Sequence, residues 1–326
     1  MAVYTHLGAE DLAALIAHYD VGELVSAKGI AEGISNSNWL IDTTGPDGGP
    51  DKTAARYILT MYERRIELAD LPYFLGLLDH LAAQDCPVPR TIHDREGAAF
   101  RMEQGKAVAL IEFLPGISPT QPTAAQARSV GEVLAQVHLA SAGFALNRAN
   151  TMGFADNLTT LERCGAQGLA SIHHDLPAVL DPARKAAALD LSGLPVAQIH
   201  ADLFPDNVLM LGSEVTGLID FYFACTGPMA LDIAVTHAAW CFDEAGGFLP
   251  DLSAAFLKGY ESVRTIEAAE RAMLPDIAKG AAMRFVASRA EDWLDTPDDA
   301  LVARKDPMQF VSRWHFYDEN GASVFA

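Results

Sequence analysis

The chain has 326 residues, 50% of them hydrophobic and 20% charged, which excludes a disordered or fibrous protein and supplies apolar material for one large or two medium domains. With 23 basic residues against 43 acidic ones, its formal net charge is −20. That balance repels a polyphosphate backbone, so neither nucleic acid nor an anionic membrane is expected as a partner. Cys86, Cys164, Cys225 and Cys241 lie far apart in the sequence with no C-x-x-C pair, a pattern of reduced cytoplasmic thiols and not of a zinc site. The first residues lack the basic start and apolar core of a signal peptide, and no stretch reaches about 18 consecutive apolar residues. A cytoplasmic protein is expected.

Residues 5–19 carry Leu12, Leu15, Ile16 and Tyr19 at helical spacing. From Gly22 onward the texture turns to short β-like runs, at 24–28, 39–43, 56–62, 98–102 and 107–114. An amphipathic helix over 68–83, with Leu71, Phe74, Leu75, Leu78 and Leu81 on one stripe, interrupts them before Cys86-Pro87-Val88-Pro89. After Phe113-Leu114-Pro115-Gly116 the pattern is mostly helical, over 123–144, 177–189, 229–240, 252–264 and 267–293. The expected organisation is α+β: a small lobe at 1–114 with an antiparallel sheet, and a large, mostly helical lobe at 115–326. His138, on the 123–144 helix, is read as a packing or hydrogen-bonding residue.

Two segments carry chemistry. Between the first two strands, Lys28-Gly29-Ile-Ala-Glu-Gly33-Ile-Ser35-Asn36-Ser37-Asn38 combines glycines that permit close backbone approach with side chains that donate to phosphate oxygens. It matches neither G-x-x-x-x-G-K-[ST] nor G-x-G-x-x-G, and a plain hairpin turn is the competing reading. Further on stands His200-Ala201-Asp202-Leu203-Phe204-Pro205-Asp206-Asn207, followed at Gly217-Leu218-Ile219-Asp220-Phe221 by a second acid. His200, Asp202, Leu203 and Asn207 fall at the offsets of the H-R-D-L-x-x-x-N phosphotransfer loop, and Asp220-Phe221 stands where a metal-binding D-F-G-like pair belongs. In-line phosphoryl transfer needs a carboxylate to orient the attacking hydroxyl and take its proton, a task for Asp202 with His200 as a hydrogen-bonding member of the loop. It also needs hard oxygen ligands for Mg²⁺, which Asn207 and Asp220 supply. Apolar runs on either side of Gly212-Ser213-Glu214 read as a hairpin joining those two positions.

These segments, with Tyr57-Ile-Leu-Thr60-Met-Tyr-Glu63, Leu71-Pro72-Tyr73-Phe74-Leu75, Leu218-Ile-Asp-Phe-Tyr222 and Lys305-Asp306-Pro307, resemble the aminoglycoside-phosphotransferase-like kinases. Within them they resemble the homoserine kinases of protein-kinase-like fold. The resemblance runs nearly end to end and implies ATP-dependent phosphorylation of the L-homoserine hydroxyl, the step before threonine synthase, with ATP and Mg²⁺ as cofactors. It implies Asp202 as the catalytic Asp, Asn207 and Asp220 as metal ligands, and Gly29, Gly33, Ser35, Asn36, Ser37 and Asn38 as the nucleotide loop. Glu112 and Leu114 would form the hinge at the adenine, and Asp232 would be a buried anchor of the catalytic loop, since a buried acid needs partners. One position departs from the kinase pattern: Thr60 stands where a strand lysine is expected, with Lys28, Arg64 and Arg65 as possible substitutes. Homoserine is a zwitterion, and Tyr222, Trp240 and Arg284 are candidates to grip it. Two other readings stay open, a kinase acting on an amino sugar, choline-like alcohol or methylthioribose, and a silent nucleotide-binding scaffold. Oligomeric state is not legible.

Overall fold

A computed structural model describes residues 7–30, 36–46, 54–63, 66–296 and 304–326. The chain divides into two compact units, Met1–Gly116 with Thr216–Tyr222, and Ile117–Val215 with Phe223–Ala326. A single cut near residue 115 therefore leaves out one excursion, in which seven residues around Asp220 group with the first unit.

In the first unit, β1 (Leu24–Ile30), β2 (Asn36–Thr43), β3 (Ala55–Tyr62), β4 (Thr91–Ile92), β5 (Arg101–Glu103) and β6 (Lys106–Glu112) form an antiparallel sheet. Its order is β1-β2-β3-β6-β4, with β5 on β6. Alternation sorts the side chains. Trp39, Ile41, Leu59, Met61, Val108 and Leu110 cover one core with Leu12, Leu15 and Ile16 of α1 (Ala9–Ile16), each large chain contributing roughly 1.5–3 kcal/mol by burial. A second cluster gathers Tyr62, Ala107 and Ala109 with Leu71 and Leu75 of α2 (Leu71–Ala82). Pro72 sits in the first turn of α2, where its missing N–H costs nothing, and Asp85 ends the segment at φ 59°.

The second unit is mainly helical: α3 (Ala124–Ala140), α4 (Phe154–Ile172), α5 (Leu180–Ala187), α6 (Met229–Trp240), α7 (Pro250–Glu261), α8 (Ala268–Asp295) and α9 (Met308–Val324). Thr123 caps α3 by accepting the Gln126 N–H at 3.3 Å, while the Gln126 side chain returns to the Thr123 N–H at 2.9 Å. β7 (Val196–Ile199) pairs antiparallel with β10 (Cys225–Pro228), and β8 (Val208–Leu211) pairs with β9 (Glu214–Leu218). The apolar run of α6 is buried along its length from Ala230 to Trp240, so it is a core helix and not a surface one.

Two glycines set where α3 and α7 cross. A Cβ at Gly131 would lie 2.2 Å from the Phe256 carbonyl oxygen, and one at Gly259 2.1 Å from that of Arg128. Only hydrogen side chains allow this approach. It brings His138 of α3 to Tyr260 of α7, Nδ1 to hydroxyl 2.8 Å.

Candidate active site

The motif loop starts where β7 ends. His200 is fully buried, and its N–H donates to Asp232 Oδ2 at 2.8 Å, while the next N–H, of Ala201, donates to Asp232 Oδ1 at 2.7 Å. Ala201 is left-handed, at φ 63°. For a residue with a Cβ that conformation costs roughly 1–2 kcal/mol and persists only where its surroundings hold it. Here both of its peptide groups are held, because the Ala201 carbonyl also accepts from Arg284 Nη1.

Asp232 lies on α6 and is wholly buried. Burial alone would push its carboxyl up, but the hydrogen bond and charge of His138, the charge of His200 and the His200 N–H hold it below the ordinary carboxylate range. His138 Nε2 stands 3.0 Å from Oδ2. The glycine crossing of α3 on α7 thus reaches the loop through Tyr260, His138 and Asp232.

The turn brings Asp202 to the front, 19% exposed, with Arg284 Nη2 3.3 Å from its Oδ1. Burial raises the Asp202 carboxyl above its ordinary range, against the opposing charges of Arg284, His200 and Lys305. A raised but paired carboxylate is suited to receiving a proton. The Arg284 guanidinium is buried between Phe223 and Phe285, 5.2 and 4.9 Å from their ring centres. His200 Nδ1 accepts the Asp202 N–H at 3.2 Å, so this histidine is a buried part of the loop's own frame. The Asp202 carbonyl accepts from the Phe204 N–H and from Asn207 Nδ2, both at 2.8 Å. With its nitrogen committed, the Asn207 amide has Oδ1 as the atom that could take a ligand. Trp240 Nε1 donates to the Leu203 carbonyl at 3.0 Å from a side chain 1% exposed.

In the first unit, Gly29 lies on β1 opposite Trp39, and Asn36, Ser37 and Asn38 lie on β2 opposite Tyr62, Met61 and Thr60. Gly33 and Ser35, like Arg64 and Arg65, fall outside the described residues. Lys28 is exposed on β1. Ser37 Oγ donates to Glu63 Oε1 at 2.6 Å, and Glu63 is ion-paired with Lys106. Asn36 is buried, and among the described residues its Oδ1 finds no partner. Glu112 exchanges two hydrogen bonds with Arg90, N–H to the Arg90 carbonyl at 2.9 Å and Oε2 from the Arg90 N–H at 3.3 Å, and Leu114 follows the end of β6. Asp220, at φ 65°, is the second left-handed non-glycine residue in a motif. It opens a short turn in which Phe221 is buried and Tyr222 packs on the cluster of Tyr62, Ala107 and Ala109.

The family model of the phosphotransferase enzyme family matches residues 26–266. The chain belongs to this family. Homoserine kinase of Acidiphilium cryptum is 44% identical over 325 residues, covering 99% of both chains. That of Gluconobacter oxydans is 45% identical over 318 residues, covering 96% of this chain and 97% of its own. Among solved structures, an amicoumacin kinase in complex with AMP-PNP and Ca²⁺ superposes with a TM-score of 0.69 at 16% identity, over 96% of this chain and 94% of its own. A microcompartment-associated aminopropanol kinase superposes with 0.60 at 20% identity, over 98% and 99%. At such identities the superpositions speak for the kinase-like fold, which the sheet-bearing and helical units fulfil.

Three features of this phosphotransferase were not legible in its sequence. The Lys106–Glu63–Ser37 group joins two strand residues and the residue that follows β3, with Lys106 and Glu63 43 positions apart. His138 reaches Asp232 across 94 positions. Arg284 reaches Asp202 across 82, and nothing in the spacing of either motif signals it. A polar residue on an otherwise apolar helical stripe, as at His138 and Arg284, was the only signal available.

Proposed function

We propose that this chain transfers the γ-phosphoryl group of ATP to the side-chain hydroxyl of L-homoserine, giving ADP and O-phospho-L-homoserine, the phosphoester that threonine synthase consumes. The observation that carries this reading is identity of 41–45% over nearly the full length of curated homoserine kinases. The loop geometry supports it. Asp202 accepts a hydrogen bond from the homoserine hydroxyl and aims its oxygen at the γ-phosphorus. As the new P–O bond forms, the bond to the β,γ-bridging oxygen breaks, ADP departs, and the hydroxyl proton passes to Asp202. Arg284 opposes the burial that raises the Asp202 carboxyl, and Trp240 and Arg284 act on homoserine through the loop that they hold.

Asn207 and Asp220 are the side chains that would hold a divalent cation, Mg²⁺ in this reading. Their donor set fits, because an amide oxygen and a carboxylate are both hard ligands. When bound, the cation neutralises charge on the phosphate oxygens. The segment from Gly29 to Asn38, with Gly33, Ser35, Asn36 and Ser37, would meet the nucleotide phosphates. The backbone around Glu112 and Leu114 would meet adenine. Among the described residues no helix is long and apolar enough to cross a membrane, and all four cysteines are free. Both are compatible with a cytoplasmic enzyme.

The test is ADP release with Mg-ATP across L-homoserine, L-serine, L-threonine, choline and an aminoglycoside. The expected result is the highest kcat/KM for L-homoserine. Equal rates across the panel, or a preference for choline or the aminoglycoside, would sink the substrate assignment, and ATP binding without turnover would favour a silent scaffold.

A further inference from the structure

Thr60 occupies the strand position where a phosphate-gripping lysine is expected, and the structure shows what uses that space instead. Its side chain is buried, 3% exposed, with its hydroxyl beside that of Tyr222. The Tyr222 hydroxyl in turn donates to the hydroxyl of Tyr62 at 3.3 Å. Thr60 and Tyr62 are two apart on β3 and share a face of the sheet. Ala109 lies opposite Thr60 on β6, and Ala107 and Ala109 belong to the cluster against which Tyr222 packs. Two methyl side chains leave room for a ring. Tyr222 fills it, edge-on to Tyr62 at 5.5 Å and to Phe74 at 5.8 Å between ring centres.

Burial pushes the Tyr62 phenol up to about 12 and the Tyr222 phenol well above its ordinary range, and the Asp220 carboxylate raises both further. Asp220 is close enough for its charge to be felt by both. It also holds the left-handed conformation that a side-chain-bearing residue adopts only under constraint.

We infer that Tyr222 is a positioning residue for Asp220. Its hydroxyl, donating to Tyr62 beside Thr60, and its ring, edge-on to Tyr62 and Phe74, fix the turn that opens at Asp220 and so the direction in which that carboxylate faces the divalent cation, while the ring makes no contact with homoserine. Hydroxyls at Thr60, Tyr62 and Tyr222 thus stand in place of a lysine: they do not grip phosphate, they orient the metal ligand. The inference rests on Asp220 being a metal ligand.

The experiment titrates Mn²⁺ into the protein with AMP-PNP, reading free Mn²⁺ by its EPR signal, and measures steady-state kinetics with Mg-ATP in parallel. Tyr222→Phe keeps the ring and removes the hydroxyl. It is expected to weaken Mn²⁺ binding about three- to tenfold and to lower kcat by a similar factor, with KM for homoserine within about twofold. Thr60→Val, similar in volume, should give the same pattern, Thr60→Ser should behave as wild type, and the Tyr222→Phe/Thr60→Val double variant should be no worse than either single one. Asp220→Asn separates the two claims. If it leaves Mn²⁺ binding unchanged, the metal assignment of Asp220 fails and this inference with it. If Asp220→Asn weakens Mn²⁺ binding but Tyr222→Phe and Thr60→Val do not, the positioning role is overturned while the metal assignment stands. A raised KM for homoserine with unchanged Mn²⁺ binding would return Tyr222 to the substrate. Should Tyr222→Phe fold poorly, the Thr60→Val and Thr60→Ser pair decides alone.

Discussion

Two motif residues with side chains adopt the left-handed conformation, Ala201 in the catalytic loop and Asp220 in the Asp-Phe-Tyr turn, and they are surrounded by opposite kinds of chemistry. Ala201 sits among buried charges. Asp232 takes its N–H, Arg284 takes its carbonyl, and His138 backs Asp232. Two residues on from Asp220, Tyr222 sits among a hydroxyl and aromatic edges, those of Tyr62 and Phe74. Buried charges hold geometry firmly but fail sharply when one partner is lost, because the survivor is left unpaired. Neutral hydroxyl chains hold less and fail gently. On the proposed roles, the carboxylate that receives a proton, Asp202, has its field set by nearby charge, whereas the one that would face a cation, Asp220, opens a turn anchored by Tyr222 without an ion pair of the tyrosine's own.

The largest break in this contrast should come at Asp232. Asp232→Ala strands two backbone N–H groups and a buried histidine, and a loss of roughly 3–5 kcal/mol of folding stability is expected by chemical denaturation. Asp232→Asn should also flatten the acid response. The folded carboxyl lies below its unfolded value, so its contribution is present above the ordinary carboxylate range and disappears as pH falls through the folded value. The wild type should therefore lose stability on acidification that the Asn variant does not. A variant as stable and as acid-sensitive as wild type would show the loop to be held by other means. Next in size, Asp202→Asn should lower kcat at least about 10²-fold with ATP affinity within a few fold, measured by stopped-assay kinetics and nucleotide titration.

Arg284→Met sharpens the charged side of the comparison. Since the guanidinium lowers the Asp202 carboxyl while burial raises it, removing the arginine should move the acidic limb of the kcat profile to higher pH. An unmoved limb would mean that Arg284 serves only the Ala201 carbonyl. On the neutral side, the smaller effects expected for Tyr222→Phe should show no such displacement of the acidic limb, because neither phenol titrates in the working range.

The contrast also explains what the sequence could disclose. His200, Asp202 and Asn207 are legible because one short loop carries them, and the strands of the first unit because their alternation is a local pattern. The α6 helix was readable as one apolar run over Met229–Trp240. By contrast, α4 was not expected: Gly165 breaks it at φ 68°, and Asn157, Leu161 and Leu169 are its buried residues, too sparse for a periodic stripe. Strands β7 and β10 are four residues each and border Gly and Pro, so their pairing is a tertiary fact. The α9 helix, rich in aromatic residues such as Phe310, Trp314, Phe316 and Tyr317, reads locally as strand as much as helix. The Arg284 charge that acts on Asp202 comes from the long α8, 82 positions along the chain, and the crossing of Gly131 on Gly259 brings His138 to Asp232, so both are facts of packing.

The most direct measurement is ³¹P NMR of the protein incubated with Mg-ATP and L-homoserine. The account predicts one new phosphomonoester resonance, that of O-phospho-L-homoserine, growing in step with ADP and absent with Asp202→Asn over the same interval. ADP accompanied by inorganic phosphate alone, or the same phosphoester formed at an undiminished rate by Asp202→Asn, would contradict it.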